Sequence, residues 1–151
     1  MDYDDEEGYD LEEEVEGGED GYWKHANPPR KLQNLRACIA CLLIKTYQQF
    51  VTEGCDNCEK GDFSMKDDEV KVNDCTTIAF EGMMALTVPQ KSWVARWQFA
   101  DNLVPGIYAL KVKGEVSEET ARELQEAGIR NLGRLMQTEE LKISSSAKKA
   151  A

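Results

Sequence analysis

"RACIACLLIKTYQQFVTEGCDNCEKG", Arg36 to Gly61, decides how the rest of the chain is read. It holds four of the five cysteines as two C-x-x-C pairs, Cys38/Cys41 and Cys55/Cys58, with thirteen residues between the pairs. A redox site, two disulfides and a metal clamp all use this residue type. A tetrahedral zinc site needs four thiolates at about 2.3 Å from the ion, and two knuckles supply them, each pair on one tight turn. Gly54 before Cys55, and Asp56-Asn57 inside the second pair, suit such a turn. The spacer is long enough for a hairpin that sets the second knuckle beside the first. The double spacing favours one zinc. With four protein ligands no position stays open for water or substrate, so the site reads as structural. Thiol redox would better suit a single C-x-x-C near a βαβ unit, and neither pair obviously opens a helix that would lower a thiol pKa. Cys75 lies outside the spacing and reads as a buried small hydrophobe rather than a fifth ligand.

Charge divides the chain. Of its 29 acids, twelve fall in residues 1–20, where no base occurs. That leaves 17 acids against 18 bases, so the formal charge of −11 belongs almost entirely to this arm. A like-charged block with few apolar residues cannot bury enough surface to offset its chain entropy. Residues 1–24 are therefore expected to be an acidic disordered arm, residues 30–132 the zinc-binding domain, and residues 137–151 a disordered tail with a short helical turn near Glu139 to Ile143. An acidic start argues against a secretory or transit signal. No apolar run approaches the roughly 20 residues that span a bilayer. The expectation is an intracellular protein with no membrane partner, in which closely spaced cysteines bind metal.

The pattern outside the knuckles predicts an α+β fold, with a small antiparallel sheet, flanking helices and an N-terminal four-cysteine zinc-ribbon-like module. Lys31 to Leu35 reads as a short helical lead-in, and Val70 to Asn73 as a short strand. "TIAFEGMMALTVP" reads as one long strand, with Ile78, Phe80, Gly82, Met84, Leu86 and Val88 on its core face. Gly82 in its middle suggests a bulge or a close backbone approach. "KSWVARWQF" reads as a short helix capped by Ser92, with Trp93 and Trp97 sharing a face assigned to the core. "GIYALKVKG" is a second strand. "SEETARELQEAGI" is a helix capped by Ser117 and stopped by Gly128.

Little points to catalysis. The lone histidine, His25, reads as an exposed loop residue, so the usual Ser/His and Cys/His pairs are missing. No phosphate-binding glycine loop occurs. Arg30, Lys31, Arg36 and Lys45 lie near the knuckles, but a near-neutral folded part has no strong nucleic-acid footprint, and a solvated face is expected. A binding or structural role is the better reading, and no enzyme is expected.

"RACIACLLIKT", "GCDNC", "DCTTIAFEGMMAL", "KSWVARWQF" and "PGIYALKVKG" follow one another in an order and spacing that resembles a known family. It is the small zinc-binding subunit of the eukaryotic transcription elongation factor DSIF, the suppressor-of-Ty-four family, over roughly Leu35 to Gly128. The acidic arm and the lysine-containing tail depart from that pattern. The resemblance implies Cys38, Cys41, Cys55 and Cys58 as ligands of one structural zinc. It also implies a large partner with a NusG-like domain, joined sheet edge to sheet edge. Ser92 would receive an acidic side chain of that partner, and the strand around Phe80, Gly82 and Met84 would offer its backbone. The heterodimer would act on RNA polymerase II in the nucleus, promoting processive elongation through chromatin, with weak contact to upstream DNA. The alternatives are a stand-alone zinc-ribbon module that binds nucleic acid and, further off, a thiol oxidoreductase.

Overall fold

The computed structural model describes residues 26–135 and residue 137. The expectations for the acidic arm, His25 and the helical turn near Glu139 to Ile143 lie outside the described residues. The chain runs through β1 (Leu35–Cys38), β2 (Ile44–Thr46), α1 (Tyr47–Glu53), α2 (Glu69–Cys75), β3 (Thr76–Thr77) and β4 (Phe80–Leu86). A 3-10 turn (Pro89–Lys91), α3 (Trp93–Trp97), β5 (Gly106–Val112) and α4 (Glu118–Glu126) complete it. Two small antiparallel sheets form, β2-β1-β3 and β4-β5. The predicted α+β class holds. No described helix is long and apolar enough to cross a membrane.

Three local expectations are corrected first. Residues 31–34 are bends, and Leu35 already belongs to β1. The spacer between the knuckles is a strand followed by a helix, not a hairpin. Thr46 and Gln49 form a reciprocal capping box that starts α1 directly after β2. Val70 to Asn73 is helical, because the Asp68 carboxylate accepts the Lys71 N–H at 3.1 Å and nucleates α2. Only Val72 of its two valines turns inward, together with Cys75 one turn on, while Val70 faces solvent. β-Branching there was a weaker signal than the cap.

The long strand is two strands. Thr77 Oγ1 accepts the Ala79 N–H at 3.0 Å and bends the chain, so Thr76–Thr77 pairs with β1 and Phe80–Leu86 with β5. Ile78 sits at the bend and is exposed, against its assignment to the core face. Within β4 the inward residues are Phe80, Met84 and Leu86, as expected. Pairing is in constant register on both sides of Gly82, from Phe80↔Val112 to Leu86↔Gly106, so no bulge exists. Gly82 is the close approach instead. Its φ is +70°, and a Cβ there would lie 2.6 Å from Leu110 Cδ1.

The core assignment of Trp93 and Trp97 is overturned. Both are more than two-thirds exposed, and Arg96 stacks over Trp93 at 5.3 Å. The two do share a face, but α3 has only five residues and seats on the body through the small Ala95. Ser117 caps α4 as expected. Asp74 of α2 accepts from the Ser117 N–H and hydroxyl and from the Thr120 hydroxyl, tying the end of α2 to the start of α4. After Ile129 a helical turn at 132–135 closes onto the first knuckle, where Leu132 and Gly133 donate to the Ala40 and Ile39 carbonyls.

Gly82→Ala must hold an L residue at positive φ and displace Leu110. We expect a loss of about 1–3 kcal/mol in chemical denaturation, with zinc content unchanged. A Leu110→Ala background should recover only the steric part.

Candidate metal centre and docking edge

The cysteine sulfurs converge. All lie within 4.8 Å of one another. Cys38 Sγ and Cys58 Sγ are 3.7 Å apart, and Cys41 Sγ and Cys55 Sγ 3.4 Å. A regular tetrahedron with arms of about 2.3 Å puts sulfurs about 3.8 Å apart, so the cage fits zinc. Each knuckle contributes one sulfur to each close pair, which crosses the two segments over. The four thiols are at most 3% exposed. Zinc would be held there as a closed, fully liganded ion.

Local structure explains both knuckles. In the first, the Leu42 N–H returns to the Cys38 carbonyl at 2.8 Å and the Cys38 N–H to the Leu43 carbonyl at 2.9 Å, with Leu42 itself at φ +70°. In the second, the Cys58 N–H donates to the Cys55 carbonyl at 3.1 Å. Glu59 Oε1 accepts the Cys55 and Met65 N–H groups and occupies the place that a Cβ at Gly54 would need.

Electrostatics ask for a cation. The S–H groups of Cys41, Cys55 and Cys58 hold the Cys38 thiol well below its ordinary range. Burial pushes Cys41 well up, as does its bond to Cys38. Cys58 is pushed up by its bonds to the other three sulfurs and by burial. Without metal, Cys41 and Cys58 keep their protons. Zinc must displace them, so its apparent affinity rises with pH and falls in acid. Burial also raises the Cys75 thiol well above its ordinary value, and it stays outside the four-sulfur cluster. It is a buried free cysteine, as expected.

Lys45 was expected on a solvated face and is instead fully buried. It forms the post behind the second knuckle. Its Nζ donates to the Gly54 carbonyl at 2.8 Å and lies 3.3 Å from Asp56 Oδ1 and 3.4 Å from Glu53 Oε2. Four thiolates around zinc keep a net negative charge, so an enclosed ammonium nearby is favourable. Partial burial works against the Glu53 carboxylate, but the Asn27 amide and the Lys45 charge outweigh it and hold Glu53 below its usual pKa. That contribution to stability is present above the ordinary carboxylate pKa of about 4.3 and is lost as pH falls through the lowered value. Arg36 is also committed: its Nε and one Nη bind Thr76 at 2.7 and 2.9 Å, and it stacks on Tyr47.

The knuckles connect to the second sheet. The Ala109 N–H donates to the Leu42 carbonyl at 2.8 Å, and Leu43 bridges Tyr108. Asn57, inside the second C-x-x-C, donates to the Tyr108 hydroxyl at 2.9 Å and accepts the Val104 N–H at 2.9 Å. The Tyr108 hydroxyl donates to the Val104 carbonyl at 2.5 Å. Tyr108 is fully buried, and burial raises its phenol well above the usual value. One edge of β5 is thereby covered by the metal module, and its other edge pairs with β4. Among the described residues β4 pairs with no strand but β5. Phe80 and Met84 are half-buried against the core and Gly82 lies under Leu110, so β4 offers backbone there, while Met83 faces solvent. Ser92 is half-buried close beyond the end of β4, and its Oγ accepts the Ala95 N–H at 3.2 Å. Sequence reasoning missed Lys45 and Asn57. Their signal was weak: an isolated lysine in an apolar run, and an asparagine that served equally well as a turn former.

A closed four-cysteine cage joined to a small open-edged sheet defines a zinc-finger domain in which the metal is structural. Residues 35–113 match the family model described as Spt4/RpoE2 zinc finger. The chain is 44% identical over 101 residues to "Transcription elongation factor SPT4" of Drosophila melanogaster, covering 67% of this chain and 86% of that protein. It is 42% identical over 105 residues to the Caenorhabditis elegans protein of the same name, covering 70% and 87%. It is 35% identical over 102 residues to "Transcription elongation factor spt4" of Aspergillus fumigatus, covering 68% and 65%. The chain belongs to the Spt4/RpoE2 zinc-finger family.

Metal analysis should find one zinc per chain, and thiol reagents should reach the knuckle cysteines only after chelation. Cys41→Ser should lose the metal on gel filtration and Cys75→Ser should keep it; two disulfides in the native chain would contradict the assignment. Lys45→Met leaves Asp56 and Glu53 without their ammonium. Because both carboxylates are partly hydrated, we expect the low end of the buried-pair range, about 3 kcal/mol lost in denaturant titration, and faster zinc transfer to a chelator.

Proposed function

We propose that the chain is the small, non-catalytic subunit of a heterodimeric transcription elongation factor. It works by presenting the open edge of β4 to a NusG-like domain of a large partner. The observation that carries this reading is the pairing of β4, which bonds to β5 on one side and to no strand on the other among the described residues. An open edge offers a row of backbone donors and acceptors to an incoming strand. The relatives' names, transcription elongation factor, supply the process.

In this reading the backbone at Phe80, Gly82 and Met84 pairs with the partner's sheet, while their side chains stay with this domain. Ser92 meets a partner carboxylate, as the family resemblance implies. Exposed Trp93 and Trp97 stand beside it and extend the contact with apolar area, which suits an interface better than a free surface. The heterodimer acts in the nucleus on RNA polymerase II and supports passage through chromatin. The folded unit doing so spans residues 30–132. The burial of the four thiols and the commitment of Lys45 to internal contacts favour docking over thiol redox or nucleic-acid binding as the main activity.

Mixed with the NusG-like domain of its large partner, the chain should give a one-to-one complex by light scattering. Ser92→Asp should weaken it about tenfold, near 1.4 kcal/mol, with zinc retained. An unchanged dissociation constant would remove Ser92 from the interface, and absence of any complex would overturn the reading.

A further inference from the structure

A second surface is built on the N-terminal segment, β1, β2 and α1. A cleft of about 540 Å³ is lined by Arg30, Lys31, Asn34, Arg36, Tyr47 and Ile78 among others, and no described carboxylate lines it. Its charge is incompletely matched. Arg30 pairs with Glu53 at 2.6 Å on the rim, whereas among the described residues Arg36 is held by Thr76 and the Tyr47 ring. Lys31 has no ionic partner among the described residues and is exposed. Ile78 adds an apolar wall that is 72% exposed. Arginine fixed over an aromatic ring, with a free lysine beside it, suits an anionic segment that also carries rings.

The chain itself contains such a segment, attached at the cleft. Gln49 Nε2 holds the Pro28 carbonyl at 3.0 Å and Asn27 Oδ1 at 3.3 Å, and the Arg30 N–H donates to Gln49 Oε1 at 3.2 Å. Asn27 also donates to Glu53. The path from Asn27 to Arg30 is therefore fixed at the rim. Just ahead of it stand Tyr22 and Trp23, and ahead of those are the twelve acids of residues 1–20. From Asn27 back to Asp20, seven extended residues reach about 24 Å, enough to fold back over the cleft. A short tether gives an effective concentration on the order of millimolar, so a contact too weak to form between separate molecules becomes populated.

We propose that the acidic N-terminal arm docks in cis on this basic cleft and shields it from other polyanions. Residues 1–20 of the arm, with a formal charge of −12 against a near-neutral remainder, are a built-in competitor for Lys31 and Arg36. Because the contact is largely ionic, it weakens as the Debye length shrinks from about 8 Å at physiological salt to about 3 Å at 1 M.

The test uses the full zinc-loaded chain, labelled for amide NMR. Raising salt from 0.05 to 0.8 M, or neutralising the arm with Glu12→Gln, Glu13→Gln, Glu14→Gln and Glu16→Gln together, should move the amides of Lys31, Asn34, Tyr47 and Gln48. Those of Glu123 and Gln125 on α4 should stay. In a Lys31→Glu chain, altered at an exposed side chain with no ionic partner among the described residues, neutralising the arm should no longer move them. A twelve-residue oligothymidine should bind the arm-neutralised chain at least threefold tighter than the unaltered one, and Lys31→Glu should remove that gain. No shift at the cleft, or shifts of equal size on α4, would overturn the proposal. So would equal oligothymidine affinity with and without the arm's acids, which would mark the cleft as an open nucleic-acid surface.

Discussion

Everything in this fold hangs on four sulfurs held within one small buried volume. The two knuckles stand thirteen residues apart in sequence, and each alone is only a turn. Gathering them fixes a loop that already contains β2 and α1, and it sets the first knuckle against β5. Two hydrogen-bonded joints pass this constraint outward. The Leu42 carbonyl takes the Ala109 N–H, and Asn57 grips the Tyr108 hydroxyl and Val104. Buried Lys45 braces the same loop from behind, bound to the Gly54 carbonyl beside Cys55.

The metal thus acts at a distance. It touches neither β4 nor Ser92. The first knuckle covers one edge of β5, so that β5 can carry β4, and among the described residues the other edge of β4 is open. Asn57 also anchors Val104 in the loop that joins α3 to β5, which limits where Trp93, Trp97 and Ser92 can stand. A rigid strand edge loses little entropy when a partner strand joins it. That is the physical sense in which a structural zinc would serve the proposed docking.

How far the sequence could be read depended on whether a signal was local. The cysteine spacing, the serine caps of α3 and α4, and the turnover at Gly128 all rest on interactions within a few residues, and they were legible. The fold class followed from them. The readings that failed required knowledge of what lay opposite. Val70 to Asn73 looked like a strand because two valines alternate, yet the Asp68 cap and the inward turn of Val72 and Cys75 made a helix. Trp93 and Trp97 looked like core because large rings are usually buried. A five-residue helix resting on Ala95 has no room beneath it for either. Lys45 could not be read as a buried post, because its partners Gly54 and Asp56 come beside it only once the knuckles close. The bend at Thr77, which hands the chain from one sheet to the other, hid within a run of strand-forming residues.

The central claim is that the metal cage holds the β4-β5 sheet in place. Hydrogen exchange of the Ala109 and Tyr108 amides, and of the β4 amides bonded to β5, measured before and after zinc is removed by a chelator, tests it most directly. The account predicts that protection at Ala109 and across β4 collapses together with the cage. Full protection of those amides in the metal-free chain would contradict it.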